Sequence, residues 1–91
     1  MHQHHYIKFA TNRREKLFDI TAQVKDIVQH SGVRTGLVSL YAQGATAAIM
    51  IQENWDASVP EDAVNLLRQL IPNGVWLHDQ QDGNGDAHLK A

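Results

Sequence analysis

Thr35-Gly36-Leu37-Val38-Ser39-Leu40-Tyr41-Ala42-Gln43-Gly44-Ala45-Thr46-Ala47-Ala48-Ile49-Met50-Ile51-Gln52 is the stretch on which the fold class turns. Thr35 to Ala42 carries apolar residues on both faces, the pattern of a central strand. Gln43-Gly44-Ala45 breaks it. Thr46 to Gln52 is a short run of small and branched residues. Such a run is ambiguous between helix and strand. The flanking Gly44 and the short length favour strand.

Working outward, Tyr6 to Thr11 alternates apolar and polar residues and is rich in β-formers, so it reads as a strand. Asn12-Arg13-Arg14 is a turn, and Glu15 to Ile20 pairs back as a hairpin. Thr21 is a good helix N-cap, preceded by Asp19. Val24, Ile27 and Val28 fall at helical spacing, and Ser31-Gly32 ends the element, which predicts a helix over 21–31. His30 lies in its last turn, where a cation suits the dipole, so its reading is structural. Ser58-Val59-Pro60-Glu61 has the form of a capping box. Ala63, Val64, Leu66, Leu67, Leu70 and Ile71 form an apolar stripe, and Pro72-Asn73-Gly74 stops the helix near Ile71. Val75-Trp76-Leu77 reads as a short strand leading into a polar loop. The predicted order is β-β-α-β-β-α-β. That is an α+β fold with largely antiparallel sheet layers packed on two helices.

Ninety-one residues predict a single domain over 1–91 with a modest core. Hydrophobic residues at 43% and charged residues at 20% describe an ordinary soluble protein. A small domain without disulfides commonly gains burial by assembly, so a homo-oligomer is expected. The formal charge of −2 argues against a general nucleic-acid binder. Arg13-Arg14 and Lys16, interrupted by Glu15, read as a solvated turn. Cysteine is absent, which removes thiolate ligands and Cys nucleophiles and suits a cytoplasmic protein. No apolar run reaches the ~20 residues of a membrane span. His2, His4 and His5 read as a frayed polar start able to bind metal adventitiously.

The densest chemistry lies at the end of the chain, in His78-Asp79-Gln80-Gln81-Asp82-Gly83-Asn84-Gly85-Asp86-Ala87-His88-Leu89-Lys90-Ala91. Two neutral imidazoles bind zinc well, and a carboxylate or water can complete the set. The ten-residue interval between His78 and His88 matches no short zinc pattern. The residues alone therefore leave a metal site and a solvated polar loop both open. Gln43-Gly44-Ala45-Thr46 offers backbone amides and a hydroxyl that can cradle an anion, or is a tight turn. Glu53, in Gln52-Glu53-Asn54-Trp55-Asp56, is a general acid or base if its loop enters a cleft. Otherwise the loop serves to lay Trp55 over a core edge.

Phe18-Asp19-Ile20-Thr21, Ser31-Gly32-Val33-Arg34-Thr35-Gly36, Thr46-Ala47-Ala48-Ile49, Gln52-Glu53-Asn54 and Gly83-Asn84-Gly85-Asp86-Ala87-His88-Leu89-Lys90-Ala91 occur in one order. Together they resemble the YjbQ family, also called the secondary thiamine-phosphate synthase family. The resemblance runs from about Phe18 to Ala91. It implies sheets wrapped around a helix, a trimer or higher homo-oligomer, and a divalent metal, zinc, held by histidines at a subunit junction. It also implies a weak thiamine-phosphate synthase activity on small phosphorylated ligands. Residue by residue, it makes His78 and His88 the metal ligands. Glu53 and Asp86 become the catalytic candidates, Asp86 by orienting a ligand. Gln43, Gly44, Thr46, Asn54 and Asn84 become the ligand-binding candidates. A non-catalytic oligomeric module that binds a small anionic metabolite or a protein partner is the alternative.

Two departures stand out. Where the family commonly has His-Thr-Thr-Ala-Ala, this chain has Gly44-Ala45-Thr46-Ala47-Ala48, so the third histidine is missing. The family's later strands, its Gly-Thr-Trp-Gln type segment and its Asp-Gly-Pro-Arg type segment are also missing. The chain therefore reads as an abbreviated member whose sheet lacks its C-terminal strands.

Overall fold

A computed structural model describes residues 4–91; His2 of the N-terminal histidine cluster falls outside them. Among the described residues the elements are helix α1 (Thr21–Ser31), helix α2 (Ser58–Leu70), a 3₁₀ turn (Leu77–Gln80) and helix α3 (Gly85–Lys90). No strand occurs among them.

The α+β expectation is thereby corrected. Each segment read as a strand lacks regular structure, except that Leu77 opens the 3₁₀ turn. The reason is physical. A strand is held by N–H and C=O groups paired with a neighbouring strand, and β-preference is largely a measure of packing against that neighbour. Over 35–52 the backbone bond present is a turn contact, Ala47 N–H to Gly44 O at 3.4 Å. Leu37 and Ile51 are fully exposed, at 102% and 101%. Apolar alternation shows that a segment can pair; it does not supply the partner.

The chain divides into two units, the first ending at Ser39 and the second running from Leu40 to Ala91. In the first, bends at Arg13–Glu15 reverse the chain one residue later than the expected turn. The reversal lays the Phe9 and Phe18 rings 4.7 Å apart without a ladder between the arms. Lys16 Nζ caps the Phe18 ring at 4.9 Å. Helix α1 occupies the predicted residues, with Val24, Ile27, Val28 and Ser31 as its half-buried stripe. Thr21 is the first helical residue rather than the cap. Its N–H donates to Asp19 Oδ1 at 2.9 Å. Gly32 ends the helix at φ +75°, a left-handed position that glycine takes without strain.

In the second unit α2 also forms where its stripe predicts. The capping box does not: Asp56, not Ser58, receives the first amide. The Ser58 N–H donates to Asp56 Oδ1 at 2.9 Å, and the Ser58 hydroxyl donates to the same oxygen. Leu70 and Ile71 end the helix, with the Ile71 N–H on Leu67 O at 2.8 Å. Gly74 then turns the chain at φ +87°. Helix α3 replaces the polar loop expected from His78 to the end. Among the described residues no apolar side chain is buried, and Asp86 is the buried polar one, at 1% exposed.

Candidate functional site

The 3₁₀ turn and α3 bring the two late histidines together. Their ring centroids lie 4.9 Å apart at an interplanar angle of 89°. Both residues are exposed. They share an open concavity with Trp76, Leu77, Gly85 and Leu89.

Each histidine sits on a backbone that local bonds define. His78 O accepts the N–H groups of Gln81 at 2.9 Å and Asp82 at 3.2 Å, closing the 3₁₀ turn. The N–H groups of Ala87 and His88 return to Asn84 O at 3.1 and 3.3 Å, opening α3. Asp79 joins the two pieces. Its Oδ2 accepts the Trp76 N–H at 3.1 Å, and its Oδ1 accepts the Gly85 N–H at 2.8 Å. These bonds, that from Gly85 foremost, hold the Asp79 carboxyl below the usual aspartate range. Gly85 is buried, and a Cβ there would stand 2.8 Å from Trp76 Cβ. Only a glycine lets α3 approach the Trp76 backbone this closely. The Trp76 indole N–H is itself anchored on Pro72 O at 2.6 Å.

Asp86 sits behind this surface. Lys90 Nζ donates to its Oδ2 at 2.8 Å, and Asn73 Nδ2 to its Oδ1 at 3.4 Å. Asn84 Oδ1 is enclosed and accepts no hydrogen bond. The remaining sequence candidates do not line the concavity. Gln43, Gly44, Thr46, Glu53 and Asn54 are all exposed. Gly44 takes φ +138°, and Glu53 Oε1 accepts the Trp55 N–H at 2.6 Å within its own loop. The sequence offers Asp79, with Asp82 and Asp86, as one of three carboxylates between the histidines that could orient their rings, without singling it out. Its signal was the interval Asp79…Gly85, an acidic residue ahead of a glycine that opens a helix.

Imidazole nitrogens are good zinc ligands, so His78 and His88 are the residues of this concavity able to hold a metal. Among the described residues no third His, Cys, Asp or Glu joins them.

A family profile for the YjbQ-like UPF0047 proteins matches residues 5–91. The chain belongs to that family. UPF0047 protein MJ1081 of Methanocaldococcus jannaschii is 42% identical over 84 residues, covering 92% of this chain and 60% of its relative. A UPF0047 protein of Archaeoglobus fulgidus is 39% identical, covering 93% of this chain and 65% of its own length. UPF0047 protein YugU of Bacillus subtilis is 31% identical, covering 93% and 64%. This UPF0047 chain thus spans about three-fifths of the length of the first relatives it matches. No solved structure matches it. Among its described residues no helix is long and apolar enough to cross a membrane.

Proposed function

We propose that His78 and His88 of this YjbQ-like protein bind a divalent metal, zinc by the chemistry of the ligands, in a site whose remaining positions are filled from outside the chain. The observation that carries the reading is the edge-on imidazole pair at 4.9 Å on an exposed concavity. A bound divalent cation supplies neutralising charge for phosphate oxygens. A small phosphorylated ligand is therefore the natural occupant, and transfer of the thiamine-phosphate synthase type is the reaction class proposed. Trp76, Leu77 and Leu89 give the concavity an apolar side for the rest of such a ligand. Glu53 and Asp86 stay the acid–base and orienting candidates, and the 43–46 turn with Asn54 and Asn84 the phosphate candidates, although none of them lines the concavity. The protein in this reading is cytoplasmic and homo-oligomeric, a second copy being one source of the missing ligands. The two-ligand set favours a second reading, in which the assembly binds an anionic metabolite without turning it over.

The deciding experiment is zinc content per chain by elemental mass spectrometry, with His2, His4 and His5 replaced by alanine. Near-stoichiometric zinc that disappears in His78→Ala and His88→Ala supports the site. Absence of zinc after it is supplied removes it. Turnover of the pyrimidine diphosphate and thiazole phosphate precursors, abolished by Glu53→Ala, then separates the enzyme from the module.

A further inference from the structure

We infer that Asp79 is the positioning residue of the His78–His88 pair, its carboxylate tying the turn that carries one imidazole to the helix that carries the other. The metal arm of this inference rests on the reading above; the geometric arm does not. The two oxygens of Asp79 serve two different pieces of backbone. Oδ2 takes the Trp76 N–H, just before the 3₁₀ turn of His78. Oδ1 takes the N–H of Gly85, the first residue of α3, three residues before His88. Neither amide has an intrahelical partner, since each lies at the start of its element. The carboxylate answers both, and charge-assisted bonds to backbone N–H groups are the stronger kind.

The joint has no slack elsewhere. Asp79's own N–H donates to Trp76 O at 3.0 Å, so the residue is held at backbone and side chain alike. Gly85 lies against Trp76 with no room for a Cβ, and the same Cβ would meet Asp79 Oδ1 at 3.1 Å. Asp86 binds Lys90 and Asn73. The two bonds of Asp79 span the two histidine-bearing pieces. An exposed imidazole pair without such a tie would pay rotamer and hinge entropy on closing around an ion. Groups that orient metal-binding histidines commonly change affinity about 10–100-fold when removed.

The test uses the full chain with His2, His4 and His5 replaced by alanine. Zinc affinity is read by competition with a chromophoric chelator, and the ring-to-ring nuclear Overhauser contact between His78 and His88 is read without metal. Asp79→Ala is expected to weaken zinc binding about 10–100-fold and to erase the ring contact, with the amide signals of α2 unmoved. Asp79→Asn keeps one acceptor oxygen and is expected to fall between the two. Unchanged affinity with a persisting ring contact in Asp79→Ala overturns the inference, as does absence of the contact in the unsubstituted chain. If that chain binds no zinc, or binds it equally after His78→Ala and His88→Ala, the metal reading fails. The ring contact then decides alone: its loss in Asp79→Ala upholds the positioning role and its persistence ends it. Should Asp79→Ala not fold, Asp79→Asn carries the test. Weakened ring contact on a native amide spectrum supports the role, and a contact of full strength refutes it.

Discussion

Asp86 and Gly85 together show how single residues hold the site's floor. Asp86 is 1% exposed and Lys90, its ammonium partner, 11%. Removing one member of such a pair leaves a charge in a place without water. Lys90→Ala is therefore expected to destabilise the second unit by about 3 kcal/mol in urea unfolding. Adding Asp86→Asn should recover a good part of that loss; a purely additive double variant would show that the pair is not coupled. Gly85→Ala drives a Cβ into the Trp76 side chain. It is expected to cost about 1–3 kcal/mol, with the Trp76 fluorescence maximum displaced. At this scale the sequence exposed the chemistry but not the geometry. Ten positions separate His78 from His88, and an irregular loop can put them at almost any distance. What fixes the distance is α3. Its signals were present: Asn84 ahead of it, Ala87 and Leu89 as helix formers, and Asp86 with Lys90 at i,i+4. Only six residues long, the helix gives too little periodicity to stand out from a polar, Gly-rich loop.

The helices were legible because a helix closes its own backbone bonds, so its periodicity carries nearly all the information it needs. The segments read as strands were not, because their bonds depend on a partner that local pattern does not specify. Caps lie between these cases. Ser58 and Asp56 are both good capping residues two positions apart, and the choice between them depends on where the first helical turn begins. With Asp56 as acceptor, α2 acquires a pH dependence. The Ser58 hydroxyl, then the Ser58 N–H, hold the Asp56 carboxyl below its ordinary value. A folded value below the unfolded one means the contribution is present above the unfolded value of about 3.9. It is lost as pH falls through the folded value. The amide signals of residues 58–61 are thus expected to lose helical character on acidification before those at the centre of α2. Asp56→Ala should abolish that early step, and an identical acid profile in both proteins would reject Asp56 as the acceptor that anchors the first turn. Because the group is exposed, salt should shrink the effect.

Across the molecule the dominant fact is apolar surface in water. Tyr41, Trp55 and Leu77 are 85%, 92% and 87% exposed, alongside the bare Leu37 and Ile51. Covering one such aliphatic side chain is worth about 1.5–3 kcal/mol. Apolar side chains left in water favour association. The formal charge of −2 on 91 residues offers little repulsion against association. The chain is therefore expected to sediment faster as its concentration rises, with the shift strengthened by moderate sulfate, which promotes burial. Ile51→Glu in the second unit, and separately Leu37→Glu in the first, each replace an exposed apolar side chain with a carboxylate. Each should move the distribution toward the monomer while leaving the helical circular dichroism of α1 and α2 intact. If zinc shares two chains, metal should restore association to Ile51→Glu but not to a protein that also carries His88→Ala. A chain that sediments as a monomer at every concentration, with and without zinc, would show that these side chains remain in water. On the metal reading proposed above, a second copy would then not complete the site.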